Sequence, residues 1–105
     1  MALKILFFFL LFTLSLESAP TNCKTCRGMF LLFHDLKTDQ AKKEYIAKFY
    51  PKDKSYLTFP FEHGLYDLIE KDGIIKVIHE FNNCKNKSCI KDFCSKLSGK
   101  ICYDI

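Results

Sequence analysis

Behind an apolar leading stretch, the hydrophobic residues of this chain recur at helical intervals. Cys23, Cys26, Phe30 and Phe33 fall at i, i+3, i+7 and i+10, on one face that Met29, Leu32 and Leu36 widen. Thr21 or Asn22 is placed to cap the start of that helix. Asp39 is placed to cap a second one, with Ala41, Tyr45 and Phe49 on one face, Ile46 and Tyr50 flanking it, and Pro51 as its stop. Residues 51–63 lose the period. Pro51-Lys52-Asp53-Lys54 reads as a turn, and Ser55-Tyr56-Leu57-Thr58-Phe59 as a short strand without an obvious partner, ended by Pro60. Helical spacing returns from Gly64 with Leu65, Leu68 and Ile69, breaks at Asp72-Gly73, and resumes with Ile74, Ile75, Ile78 and Phe81. The β-branched cluster from Ile74 to Ile78 is equally readable as a strand. Asn82-Asn83 closes that segment. Ser88 then caps a last helix with Ile90, Phe93, Cys94 and Leu97 inward, and Gly99 ends it. The expectation is an all-α fold: a small disulfide-stapled bundle of four or five short helices.

The leading stretch belongs to a different kind of element. A basic start at Lys4, an apolar run over residues 5–16 and then Glu17-Ser18-Ala19 follow the three-part order of a secretory signal peptide. The run is shorter than the roughly 20 residues of a membrane span, and no later stretch reaches that length. Residues 1–19 are therefore read as a signal peptide, cleaved after Ser18 or Ala19, and residues 20–105 as a single helical, disulfide-rich domain that is secreted. The chain's net charge of +4 survives the removal, because Lys4 and Glu17 leave together. All six cysteines lie in the remainder, and an even count in so short a secreted chain reads as three disulfides. A domain this small buries a modest fraction of its surface and needs such staples.

The cysteines are lopsided: Cys23 and Cys26, then none until Cys84, Cys89, Cys94 and Cys102. Cys23-Lys24-Thr25-Cys26 is a C-x-x-C, which in a redox enzyme follows a strand and opens a helix with one thiol of lowered pKa. Too little chain precedes it for that strand, and no alternation of strands and helices follows. Two structural half-cystines one helical turn apart is the reading preferred here. His34-Asp35 lacks the Gly-rich calcium loop that a secreted phospholipase would place before it. His63 and His79 stand alone without ligand spacing, and oxidised thiols do not bind zinc. No nucleophile motif and no phosphate-cradling loop occurs. The expectation is a protein that is not an enzyme and uses no cofactor and no metal.

Charge adds more. Lys85, Lys87, Lys91, Lys96 and Lys100 stand against Asp92 alone, a local excess of +4 that equals the net charge of the whole chain. Set opposite Ile90, Phe93 and Leu97, these lysines make a basic amphipathic end suited to anionic lipid headgroups. A solvated face that keeps the chain in solution is the competing reading. Nucleic acid has no supporting motif. Met29, Phe30, Leu31, Leu32 and Phe33 form an unbroken apolar run, and a helix apolar all round must bury its outer side as well, in a partner or in lipid. Asn86-Lys87-Ser88 is a glycosylation sequon, making Asn86 a surface residue if it is occupied.

The two ends of the domain resemble the saposin-like family, the amoebapores and their secreted relatives. The resemblance rests on the opening Cys23-Lys24-Thr25-Cys26-Arg27-Gly28-Met29-Phe30 and on the closing Phe93-Cys94-Ser95-Lys96-Leu97-Ser98-Gly99-Lys100-Ile101-Cys102. It implies Cys23 paired with Cys102 and Cys26 with Cys94. The family's third and fourth cysteines lie mid-chain, whereas here they would be Cys84 and Cys89, displaced toward the end. That pair is what remains, although Cys84 or Cys89 could exchange partners with Cys94. The resemblance further implies an all-helical, non-enzymatic protein that binds or perturbs lipid, sometimes by forming pores.

The functional expectation is a secreted protein that docks on an anionic membrane surface through Lys85, Lys87, Lys91, Lys96 and Lys100. It then buries apolar side chains such as Phe30, Leu31 and Phe33, with antimicrobial or pore-forming action as the extension. The alternative is a protein-binding ligand or effector that presents residues 51–63, with Tyr56, Phe59 and Phe61, to a protein partner. A homo-oligomer is compatible with either.

Overall fold

The computed structural model describes residues 22–103. The segment read as a signal peptide lies outside the described residues. Among the described residues five helices follow one another: α1 (Asn22–Asp35), α2 (Asp39–Ala47), α3 (Pro60–Asp72), α4 (Ile74–Asn82) and α5 (Lys87–Ser98), with one 3-10 turn, Lys54–Tyr56, between α2 and α3. No strand occurs among the described residues. The all-α, disulfide-stapled bundle is the fold.

The local chemistry explains where each helix begins. Thr38, one residue before the expected Asp39, caps α2, its Oγ1 accepting the Ala41 N–H at 3.1 Å. Residues 55–59 do not form the expected strand. Asp53 instead accepts the Ser55 N–H at 2.9 Å and folds Lys54–Tyr56 into a turn. Pro60 opens α3 rather than ending a strand, since its fixed φ suits the first helical position and it has no N–H to leave unpaired. Glu62 Oε1 reaches back to the N–H groups of Phe59 (2.7 Å) and Thr58 (3.0 Å). The free N–H of Phe61 finds Asn22 Oδ1, at the start of α1, at 3.0 Å. Gly73 makes the α3–α4 break with φ at 88°, where a side chain would be strained. The Ile74–Ile78 stretch is helical, with Val77 and Phe81 buried one turn apart. Asn86, not Ser88, caps α5, its Oδ1 accepting the Cys89 N–H at 2.7 Å.

α5 packs against α1 and α3, α2 against α4, and α4 against α3. The centre is aromatic. Phe30 stacks on Phe81 with ring centroids 4.2 Å apart, and Phe93 meets both edge-on at 5.2 and 5.1 Å. Phe33 closes the group against Phe81 at 5.3 Å. Each fully buried phenylalanine contributes roughly 1.5–3 kcal/mol, and the ring geometry adds about 1 kcal/mol per pair. A satellite of Tyr45, Phe49, Phe59 and Phe61 joins the end of α2 to the start of α3. In α2 the fully buried residue is Ile46, expected only as a flank, while Tyr45 and Phe49 pack at the core's edge.

Three disulfides tie the bundle: Cys23–Cys102, Cys26–Cys94 and Cys84–Cys89. The first two are nested, joining the start of α1 to the end of α5 and the segment beyond it. The third closes the turn from α4 into α5.

Candidate functional site

The disulfides organise the candidate surface. Cys26 and Cys94 are fully buried where α1 crosses α5. Cys102 is also fully buried, and its N–H donates to Ser95 Oγ at 2.9 Å, while that hydroxyl donates to the Lys91 carbonyl one turn back. Gly99 ends α5 in the left-handed conformation, φ 74°, and the chain beyond it brings Cys102 to Cys23 at the start of α1. With Cys102 pinned inward, its two neighbours point out. Ile101 is 65% exposed and Tyr103 76%, beside the exposed Lys100. Neither Ile101 nor Tyr103 was singled out by the hydrophobic pattern. The signal that finds them is the alternation about a half-cystine in a non-helical segment.

The lysines of the basic end are at the surface: Lys85, Lys87, Lys96 and Lys100 are exposed and Lys91 is half-buried. None of the five is in an ion pair among the described residues, where the ion pairs are Lys54 with Asp67 and Lys76 with Asp72. They do not form one stripe. Lys87 and Lys91 are one turn apart on one flank of α5, whereas Lys96 is five residues beyond Lys91 and so about 140° around the axis. Lys96 instead lines a groove of about 510 Å³ between α3 and α5, together with Lys71, His63, Asp67, Leu68 and Leu97. Asp67 is paired with Lys54 at 2.7 Å.

The apolar contact residues need correction. Phe30 and Phe33 are fully buried in the ring cluster, because they share the helix face of Cys26, and do not reach the surface. Leu31 is 50% exposed, and Leu32 joins it at 59%. The expected face had included Leu32. Leu32 sits six residues from Cys26, about 240° around the helix, and so faces outward.

The presented loop is also narrower than its sequence suggests. Phe61 is buried, Phe59 half-buried against it, and Tyr56 stands alone at 79% exposure. Lys54 holds the turn, pairing with Asp67 and lying 5.5 Å over the Tyr66 ring.

The histidines serve the fold. His34 Nε2–H donates to the Cys84 carbonyl at 2.8 Å, tying the end of α1 to the third disulfide, and His63 Nε2–H donates to the Leu57 carbonyl at 3.0 Å. Among the described residues no group of His, Cys, Asp or Glu could hold a metal ion. None of the described helices is long and apolar enough to cross a membrane. The three disulfides indicate an oxidising, extracellular-type environment. No family model, no curated protein and no solved structure matches the chain.

Proposed function

We propose that this chain is a secreted, non-enzymatic protein of saposin-like kind that binds an anionic membrane surface and perturbs it. The observation that carries the reading is the pinned end formed by residues 100–103. An aliphatic and an aromatic side chain project into solvent beside a lysine, on a backbone already fixed by Cys23–Cys102 and by the bond to Ser95. A free tail would lose about 1–2 kcal/mol of backbone entropy per residue on docking, and this segment has lost most of it in folding. Burying Ile101 then gains about 2 kcal/mol, and each lysine near anionic headgroups about 1 kcal/mol. Tyrosine suits the interface, with an apolar ring and a hydroxyl that stays wet. Leu31 and Leu32 supply further exposed apolar area on α1.

Sedimentation and dye release with anionic and neutral vesicles test the reading. Binding to anionic vesicles is expected to fall with salt and to weaken at least tenfold in the Ile101→Ala/Tyr103→Ala double variant. Equal absence of binding to both vesicle types overturns it.

A second reading, a ligand or effector for a protein partner, is favoured by Tyr56, exposed on a turn braced by Asp53 and Lys54. A partner lost on Tyr56→Ala, with vesicle binding unchanged, selects it.

A further inference from the structure

We infer that the folded chain carries an N-linked glycan on Asn86, an inference that rests on the secretory part of the reading above. The sequence holds four asparagines, and Asn86 alone is followed two residues later by Ser or Thr. Its geometry suits an acceptor. Asn86 is exposed, and its backbone is extended at φ −87°, ψ 161°, between the two half-cystines of the Cys84–Cys89 turn. The side-chain amide divides its two functions. Oδ1 is committed to the Cys89 N–H at 2.7 Å as the cap of α5, so Nδ2, on the other side of the same planar group, is turned away from the helix. Glycosylation uses Nδ2 and leaves Oδ1 an acceptor, so the sugar and the helix cap do not compete.

The co-reactant is an oligosaccharide carried on a lipid pyrophosphate. The Nδ2–C1 bond forms, the C1–O bond to the pyrophosphate breaks, and the lipid pyrophosphate leaves with the electron pair. One Nδ2 proton is lost to base. The glycan would stand between Lys85 and Lys87 and cover both. Residues 100–103 lie at the opposite end of α5, which at 12 residues is about 18 Å long, and stay clear. Occupancy therefore directs membrane contact to the pinned end.

The full chain, expressed with its own leading segment in a eukaryotic secretory host, is read by intact mass before and after peptide N-glycosidase. The expected product in the medium carries a single glycan, which the enzyme removes while converting Asn86 to Asp. Ser88→Ala abolishes the glycan and leaves the Asn86 cap, so its secretion and circular dichroism should match the parent chain. Asn86→Asp should do the same, since it keeps the capping oxygen. Chain found in the medium but bare overturns the glycan and leaves the secretory reading standing. Chain retained in the cytosol overturns the secretory reading, and the glycan with it.

Discussion

Gly64 of α3 lies directly against the carbonyl of Leu97 in α5, so close that a Cβ at position 64 would overlap that backbone oxygen. This contact sets how near the two helices approach, and the groove lined by Lys71 and Lys96 runs along it. Alanine elsewhere in a helix interior would gain up to about 1 kcal/mol over glycine. Here the obstacle is backbone and cannot rotate away, so α3 and α5 must separate. Gly64→Ala should therefore lower stability by about 1–3 kcal/mol, the usual cost of overpacking. Thermal melts should show a drop of several degrees; an unchanged or raised midpoint would refute the close approach.

His34 and Cys84 form a long-range polar tie between the end of α1 and the turn into α5. The His34 ring touches Phe33 edge-on at 5.3 Å and donates to the Cys84 carbonyl. Replacing the ring with phenyl keeps the packing and removes the donor. His34→Phe should cost about 1 kcal/mol, a melting shift of about 4–8 °C for a domain this small. Hydrogen exchange should rise first in the Cys84–Cys89 turn, and uniform exchange across α1 would show that the bond contributes nothing local.

Much of this arrangement is written in the spacing of the chain. The inward face through Cys26, Phe30 and Phe33, the break at Gly73 and the end at Gly99 follow from period and glycine position alone. The helix starts were less legible, because nearby residues that can each serve as a cap compete: Thr38 against Asp39, Asn86 against Ser88. The start of α3 had a local signal that the strand reading overrode, namely Pro60 with Glu62 two residues on. Its third partner, Asn22, is far away in sequence and no local rule finds it. The candidate contact surface was half legible. The lysines reach the surface, but the single basic face set opposite Ile90, Phe93 and Leu97 is divided between flanks of α5, which only the helix phase shows. Ile101 and Tyr103 show only once Cys102 is seen to be buried.

Tyr45 gives a pH dependence. Burial pushes its hydroxyl above the ordinary tyrosine value, because the phenolate is poorly solvated at the edge of the core. The unfolded chain then releases this proton at a lower pH than the folded chain. The contribution is intact below the unfolded value near 10, and stability falls as pH rises from there through the folded value. Tyr66 is also pushed up, by desolvation and by the neighbouring Glu70, so ultraviolet titration should show two late tyrosines. Tyr45→Phe should remove one of the two and flatten the alkaline loss of stability; a late phase of undiminished amplitude in Tyr45→Phe would refute the assignment.

The nested bridges should not act additively. Cys23–Cys102 and Cys26–Cys94 have sequence separations of 79 and 68. On the chain-entropy account, either one acting alone closes a long loop and restrains the unfolded chain by about 4 kcal/mol. With one already formed, the other closes only the small ring through residues 23–26 and 94–102, roughly a dozen residues, worth about 3 kcal/mol. Removing one pair by Cys→Ala at both ends should therefore cost about 3 kcal/mol whichever pair is chosen, and removing both about 7 kcal/mol. That loss is of the order of the whole stability of a domain this size, so the double deletion should be unfolded at room temperature. The Cys84–Cys89 pair, five residues apart, should cost about 2 kcal/mol and leave the rest of the bundle cooperative. Urea unfolding of the three paired variants and of the double deletion checks the order. Equal losses for all three single pairs, or a double deletion that still unfolds cooperatively, would show that native packing rather than chain restraint sets the contribution of these bridges.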